Sequence, residues 1–207
     1  MIYIIITASI FSECEIRKNK YIRCINNLNE IIKENSIDCH IIIVENNGVR
    51  QTYLDNLNCK VYYTNNNINI HTTNKGHKEL QDIIDCIQYF KIQDSDFIVK
   101  MTGRYFLHQD SKFIHELKNN VTEYDAIIRY GSCFFNPKNI NRNNDDCCTG
   151  LIGMTCHYIK LIEPTGETHP IEKDWAKITH IMNKKRICHL HYLGIDVCPL
   201  DKDDYSI

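Results

Sequence analysis

The alternation of apolar and polar positions predicts strands and helices in turn along the chain. Short runs rich in Ile, Val and Tyr, each followed by polar turn residues, are typical of buried strands. These runs lie at 1–8, 39–44, 59–64, 96–99, 125–130, 149–154 and 188–193. Apolar residues at helical spacing predict helices between them, at 12–32, 77–90, 111–117 and 172–182.

The order of these elements predicts the fold class. A strand, a helix and a second strand within about fifty residues form a βαβ unit, which starts a parallel sheet. We therefore predict an α/β fold with a mostly parallel sheet flanked by helices. The 207 residues fit a single domain, since no linker, repeat or charge run divides them. The first helix is expected to begin with a capping box at Ser12 and Glu15, and residues 131–146 form a polar loop.

Composition narrows the functional classes. A formal net charge of −2 gives no electrostatic basis for binding nucleic acid or an anionic membrane surface. Eleven cysteines without a Cys-x-x-Cys pair indicate a reducing compartment rather than a disulfide framework. The apolar opening segment lacks a basic leader and is too short to span a bilayer. We expect a cytoplasmic protein without a membrane span.

The most informative stretch is 96–107, where an apolar strand ends in Lys100, Thr102, Gly103 and Arg104. Arg offers a rigid donor fork and Lys a point charge, so this strand end suits an anionic ligand such as a diphosphate. Gly103 would let the backbone approach that ligand or turn. The alternative is a strand end whose charges face solvent.

Two other predicted strand ends carry polar residues. In an open α/β sheet, ligands bind outside the carboxyl ends of the strands. Thr7-Ala8-Ser9 follows the first strand, and Glu45-Asn46 follows the second. The small residues suit backbone contacts, whereas the carboxylate and amide suit a base or ribose hydroxyls. Polar strand ends are also common in α/β proteins that bind nothing there.

Taken in order, these segments resemble nucleotide-sugar glycosyltransferases of the GT-A fold. The similarity is greatest to a small branch in which Lys-x-Thr-Gly-Arg-Tyr, here 100–105, replaces the usual Asp-x-Asp. It covers residues 1–107, the donor half, and extends to 108–207, the acceptor half, only through the order of the elements. It implies a single-domain, Rossmann-like GT-A fold. It also implies transfer of a hexose-like sugar from a nucleotide-diphosphate sugar to a hydroxyl of a glycan or other acceptor.

The resemblance implies roles by position in the donor half. Thr7 and Ala8 would lie along the nucleotide, and Glu45 or Asn46 would hold its base or ribose. Lys75 falls where such families place a cation near the donor.

The largest departure from the family pattern is at Lys100 and Thr102, where metal-binding carboxylates would be expected. Mg²⁺ and Mn²⁺ need such oxygen ligands. Lys100 and Arg104 would supply the positive charge themselves and stabilise the departing diphosphate, so we predict a metal-independent enzyme without a cofactor. Asp94-Ser95-Asp96 does spell Asp-x-Asp, but it precedes the apolar run and is interpreted as a turn. If it lay at the ligand edge, it would be the metal site.

In the acceptor half, Glu172 and Asp174 follow Thr168-His169-Pro170 at a predicted helix start. This resembles the position from which inverting members draw a general base, which deprotonates the acceptor hydroxyl. Which of the two carboxylates serves stays open. The alternative is that both only favour a helix amino terminus. Trp175 would stack on a sugar or belong to the core.

His189 and His191 lie on one face of the last predicted strand. Two imidazoles at this spacing suit a metal or a diphosphate, and we favour His191 near the donor phosphates. A zinc site with Asp196 is an alternative, although a third ligand at the usual spacing is missing.

Three functions follow from the sequence. The first is an inverting glycosyltransferase, and the second is a nucleotidyltransferase, which has a similar sheet. The loop from Thr7 to Phe11 contains no glycine, so it lacks the glycine-rich basic loop expected of the second class. The third is a non-catalytic module that binds nucleotide or sugar.

Overall fold

The structure is a computed structural model that describes residues 1–11, 14–131, 145–197 and 205–207. Ser12 of the predicted capping box, and most of the predicted loop at 131–146, lie outside the described residues. The first helix is described from Glu15, and Cys14 before it makes no side-chain cap hydrogen bond.

Strands and helices follow one another much as the periodicity predicts. The strands are Ile2–Ala8 (β1), His40–Glu45 (β2), Lys60–Tyr63 (β3), Phe97–Thr102 (β4), Phe106–Leu107 (β5), Ala126–Ile128 (β6), Leu151–Thr155 (β7), Ile187–His189 (β8), Ile195–Val197 (β9) and Tyr205–Ser206 (β10). The helices are Glu15–Glu34 (α1), Asn66–Asn69 (α2), Lys75–Tyr89 (α3), Lys112–Asn120 (α4), Cys156–Ile159 (α5) and Ile171–Ile178 (α6).

The main sheet has seven strands in the order β3-β2-β1-β4-β7-β6-β8. β7 runs antiparallel to β4 and β6, and the other neighbours are parallel. The predicted α/β class with a mostly parallel sheet flanked by helices is confirmed. β5, β9 and β10 form a second, three-stranded sheet that was not predicted, because runs of two or three residues carry no periodicity.

The main sheet separates two cores, because successive strand residues point to opposite sides. Ile4 and Ile6 belong to the core that includes Tyr21 and Leu28 of α1. Ile5 belongs to the core that includes the apolar stripe of α3 and residues of α6. We call these sides the α1 face and the α3 face.

The last predicted helix and the last predicted strand are among the elements that end earlier than expected. The helix predicted to reach Met182 ends at Ile178 and continues as a 3₁₀ turn over Thr179–Ile181. The last predicted strand ends at His189, because its partner β6 ends at Ile128, which is paired with His189. Within the described part of the chain, no helix has both the length and the apolar character needed to cross a bilayer.

Candidate active site

Lys100 is buried in the middle of the main sheet. β4 places it between Ile5 of β1 and Ile152 of β7, and its side chain is only 2% exposed. Its Nζ donates to the carbonyl oxygen of Thr149 at 2.5 Å and to Oγ1 of Thr102 at 3.1 Å. A third contact, at 3.0 Å, joins Nζ to Oε2 of a glutamate on α3. All the donors of this ammonium group are therefore engaged within the protein.

Glu79 is the glutamate that pairs with Lys100, and sequence reasoning missed it. It lies on α3, its side chain is 28% exposed, and its Oε1 also accepts a hydrogen bond from the hydroxyl of Thr7. Thr7 is the last residue but one of β1, so this carboxylate links β1, β4 and α3. No motif marks Glu79, because it is one polar residue beside the apolar stripe of a helix.

The charges of the Lys100–Glu79 pair act on Glu172. Burial raises the pKa of the Glu172 carboxyl, the negative charges of Asp146 and Glu79 raise it further, and the positive charge of Lys100 lowers it. The polypeptide is held here by a hydrogen bond of 3.1 Å from the Cys147 thiol to the carbonyl oxygen of Glu172. A carboxylate with a raised pKa beside a fixed cation has the properties of a general base.

Asp146 adds a further carboxylate to this region. Its Oδ1 is buried and has no hydrogen-bond partner among the described residues. Burial raises the pKa of Asp146, and Lys173 lowers it. Sequence reasoning treated Asp146 as part of a polar loop, since nothing in the pattern shows that this loop returns to the sheet.

Asp174 has a different environment from Glu172. It is 2% exposed, and its Oδ2 accepts a hydrogen bond of 3.2 Å from the backbone N–H of Thr165. Its Oδ1 accepts from the Thr165 hydroxyl and lies 3.6 Å from Nε2 of His169. This carboxylate is occupied in holding the segment before α6. Trp175 is 2% exposed and belongs to the core on the α3 face.

The predicted donor-binding residues divide between the two faces. Thr7, Lys100 and Thr102 are joined through contacts on the α3 face. Asn46 donates a hydrogen bond of 2.8 Å to Asp82 of α3 and is almost buried. Lys75 is exposed in the first turn of α3.

Three further predicted donor residues lie on the α1 face. Ala8 is buried there. Glu45 is fully buried, accepts from the N–H of Ile10 at 2.8 Å, and pairs with Arg50 at 2.8 Å. Gly103 is closely packed, since a Cβ atom would lie 2.9 Å from side-chain atoms of both Ile6 and Tyr21. Close packing against α1 therefore explains why a glycine occupies position 103.

Arg104 and His191 are the remaining predicted donor residues. Arg104 is half-buried, and its carbonyl oxygen accepts from the Cys24 thiol at 3.2 Å. His191 follows β8 at the edge of the main sheet, and its ring centroid lies 4.8 Å from that of His189. Their donor roles remain predictions.

The alternative metal sites have other partners. Asp94 pairs with Lys160 at 2.6 Å, and Asp96 pairs with the amino terminus at 3.0 Å, before β4 begins. Asp196 hydrogen-bonds to His108 at 2.8 Å. Across 1–11, 14–131, 145–197 and 205–207, no group of three His, Cys, Asp or Glu side chains could hold a metal ion.

Comparisons with known proteins give a match only among solved structures. No family model matches the chain, and no curated protein matches it. An active-site mutant of LgtC matches with a TM-score of 0.50 and 9% identity, over 90% of this chain and 72% of that chain. The chain has the fold of LgtC. The predicted GT-A fold is thereby confirmed, and at this identity the likeness shows the fold alone.

Two further matches are similar in extent. The galactosyltransferase LgtC in complex with donor and acceptor sugar analogues matches with a TM-score of 0.49 and 7% identity, over 90% of this chain and 72% of that chain. A mannosyltransferase from Pyrobaculum calidifontis, in complex with GDP-Man and Mn²⁺, matches with a TM-score of 0.49 and 10% identity, over 92% of this chain and 56% of that chain.

Proposed function

We propose that this chain is a glycosyltransferase that moves a sugar from a nucleotide-diphosphate sugar to a hydroxyl group of a glycan or other acceptor. The observation that carries the proposal is the buried Lys100 ammonium below the carboxyl end of β4 in a GT-A fold, where its charge acts on the Glu172 carboxyl. Such folds bind ligands outside the carboxyl ends of their strands, where β1 and β4 both end here.

We infer that Glu172 acts as the general base. It accepts the proton of the acceptor hydroxyl while the acceptor oxygen forms a bond to the anomeric carbon. The bond from that carbon to the diphosphate oxygen breaks with its electron pair, and the nucleoside diphosphate leaves. Attack opposite the leaving group inverts the configuration. Asp174 is a poorer candidate, because its oxygens are already occupied by Thr165 and His169.

The charge on the leaving diphosphate is met by protein cations in this proposal. Lys100 acts as a fixed, preorganised charge, and Arg104 makes the direct contacts. Transfer then proceeds without a bound divalent metal. The pairing of Lys100 with Glu79 fixes the position of the ammonium group beneath the end of β4, so the direct contacts fall to Arg104.

The decisive experiment measures product release from a panel of nucleotide sugars with a mixture of sugar acceptors, with and without a chelator. We expect release of a nucleoside diphosphate that the chelator leaves unchanged and that Glu172→Gln reduces at least a hundredfold. Release of pyrophosphate would instead identify a nucleotidyltransferase. Binding that raises the melting temperature without any release would identify a non-catalytic module.

A further inference from the structure

The outer side of α6 and of the turns that follow it carries charges of one sign. Over 171–187, every exposed charged residue is a lysine or a histidine. The carboxylates of the same stretch are turned inwards, since Asp174 is buried and Glu172 is half-buried. We call the outermost part of this surface the basic face, which consists of Lys177, His180, Ile181, Lys184 and Lys185.

Helical spacing brings the members of the basic face together. The first three are three and four residues apart on α6 and the 3₁₀ turn that continues it, so they lie on one side. The last two lie in the following 3₁₀ turn, Lys184–Arg186. Trp175, on the opposite side of α6, is buried in the core on the α3 face. The basic face is therefore turned to solvent.

The lysines of the basic face have no anionic partner within the described residues. Arg186, which follows them, is different, because it pairs with Asp125 at 2.9 Å. Lys173, one turn before Lys177 on α6, also differs, since its positive charge lowers the pKa of the Asp146 carboxyl. Each lysine of the basic face therefore contributes an uncompensated positive charge.

The undescribed stretches of the sequence favour the same charge balance. Residues 132–144 contain no Asp or Glu. The other two stretches, 12–13 and 198–204, adjoin α1 and β9, which pack on the α1 face, whereas α6 packs on the α3 face. The net charge of −2 for the whole chain thus coexists with a positive surface on α6.

Ile181 indicates what the basic face meets. Its side chain is 65% exposed, and lysines precede and follow it in the chain. An exposed aliphatic group among lysines suits a bilayer surface, because the lysines attract anionic headgroups while the apolar group enters the headgroup layer. A nucleic-acid site would favour arginine forks and aromatic rings for stacking, and the basic face offers neither.

We propose that the basic face docks this protein onto a membrane surface that carries anionic phospholipids. The lysines lie at the lipid phosphates, and Ile181 enters the headgroup layer. The net charge alone predicts no such binding, because it averages over the carboxylates on the rest of the surface. Docking of this kind is peripheral and needs no spanning helix. The inference does not depend on the proposed transferase activity.

The test is co-sedimentation of the full chain with vesicles of phosphatidylcholine, with and without phosphatidylglycerol, at low salt. We expect binding only to the vesicles that contain phosphatidylglycerol. Substituting Lys177, Lys184 and Lys185 together by Gln should lower the partition coefficient about a hundredfold, since each lysine near such a surface is worth about fivefold. Salt at about 0.5 M should remove most of the binding, because it shortens the Debye length to about 4 Å.

The matched control substitutes three exposed lysines of α1 and α4, which pack on the α1 face, and consists of Lys33→Gln, Lys112→Gln and Lys118→Gln. It makes the same change in net charge and should alter the partition coefficient by less than about threefold. If this control weakens binding as much as the other triple variant does, the attraction is not located on the basic face and the proposal fails. It fails equally if wild type does not bind phosphatidylglycerol vesicles at millimolar lipid.

Ile181→Trp reports insertion into the headgroup layer. Trp175 is 2% exposed and gives a constant background. With phosphatidylglycerol vesicles, the emission of the added indole should shift to shorter wavelength and should be quenched by lipids brominated on their acyl chains. Ile16→Trp, at a position of α1 that is 64% exposed, should show neither effect. Absence of both effects in Ile181→Trp would overturn the proposed docking.

A short DNA duplex distinguishes a membrane surface from a general site for polyanions. We expect Ile181→Ser to weaken vesicle binding by about five- to tenfold, because it removes the apolar contribution. If the duplex binds as tightly as the vesicles and Ile181→Ser changes neither affinity, the basic face is a nucleic-acid site and the proposal is wrong. The substituted side chains are all exposed, so each variant should melt within about two degrees of wild type, which verifies its fold.

Discussion

Lys100 shows how a single residue determines the electrostatics of the candidate site. Its ammonium pairs with Glu79 and donates to Thr149 and Thr102 from a position that is 2% exposed. We expect Lys100→Met to lower the free energy of unfolding by about 2–4 kcal/mol, because it leaves polar partners unsatisfied. Urea unfolding followed by Trp175 fluorescence measures this loss.

The matched variant is Glu79→Gln, which removes the other charge of the pair. The double variant should lose less free energy of unfolding than the sum of the two single variants. We expect a coupling energy of about 1 kcal/mol, since Glu79 is partly exposed. Strict additivity would mean that Lys100 and Glu79 do not stabilise each other.

Glu172 gives a pH dependence with a definite sign. A general base works when ionised, and burial raises the pKa of Glu172 above its ordinary value of 4.5. The rate of transfer should therefore rise with pH through this raised pKa. The rising, acid limb of the pH–rate profile should lie at a higher pH than it would for a glutamate with an ordinary pKa. Lys100→Met should move that limb higher still, because Lys100 lowers this pKa. An acid limb that stays in place in this variant would contradict the arrangement.

Asp82 provides a separate pH effect, on stability. Burial raises its pKa from 3.8 to about 6, while hydrogen bonds from Thr64, Asn46 and Asn66 lower it. The folded state holds this proton more tightly than the unfolded state. The resulting stabilisation is complete below pH 3.8. It amounts to about 2–3 kcal/mol and is lost as the pH rises through about 6.

The measurement for Asp82 is urea unfolding between pH 4 and pH 8, on wild type and on two variants. Asp82→Asn should lack this component of the pH dependence. Asp85→Asn, which removes the carboxylate three residues later on α3, should keep it. An equal slope in all three proteins would exclude Asp82 as the source.

At the scale of elements, the sequence predicts the sheet better than it predicts the site. Strands and helices have periods of two and 3.6 residues, so β1, β2, β4 and α3 are recognisable from apolar spacing alone. The strand-end rule also identified Thr7 and Lys100, which the structure joins through Glu79. Glu79 and Asp146 could not be found this way, because one lies within a helix and the other in a loop.

Glu45 shows that a polar residue at a strand end can also be engaged within the protein. A carboxylate after a strand resembles a ligand contact, but here its oxygens anchor Ile10, Asn47 and Arg50 in the loops on the α1 face. Whether a polar side chain at a strand end serves a ligand or the protein depends on partners from distant loops. Those contacts leave no local pattern in the sequence.

Close contact between α3 and α6 holds the halves of the site together. Gly76 lies in the first turn of α3, where an added Cβ would be 2.2 Å from Cγ2 of Ile171 on α6. Alanine normally stabilises a helix by about 1 kcal/mol relative to glycine. We expect the opposite sign for Gly76→Ala, a loss of about 1–2 kcal/mol from overpacking.

Calorimetric melting of Gly76→Ala, Ile171→Ala and the double variant tests this contact. The double variant should lose less stability than the sum of the two single variants, because removing Cγ2 of Ile171 relieves the closer of its two contacts and leaves only Cβ, at 2.8 Å. Stabilisation by Gly76→Ala alone would show that the helices can separate at no cost.

For the whole molecule, the sheet order implies that residues 1–107 and 108–207 unfold together. β4 of the first segment pairs with β7 of the second over Phe97–Met101, and Lys100 donates to the carbonyl oxygen of Thr149. Separating the segments would expose the edge of β4 and leave its buried ammonium without that acceptor. Both changes are costly, so we expect a single cooperative transition.

Each segment carries its own probe of unfolding. Trp175, the single tryptophan, reports on the second segment by fluorescence, and it is 2% exposed. Cys24 of α1 and Cys86 of α3, both buried thiols, report on the first segment through protection from pulsed alkylation, read by mass spectrometry of their peptides. In urea the three probes should give the same midpoint. If Trp175 becomes exposed at a lower urea concentration than the two thiols, the second segment unfolds first and the chain contains two units rather than one.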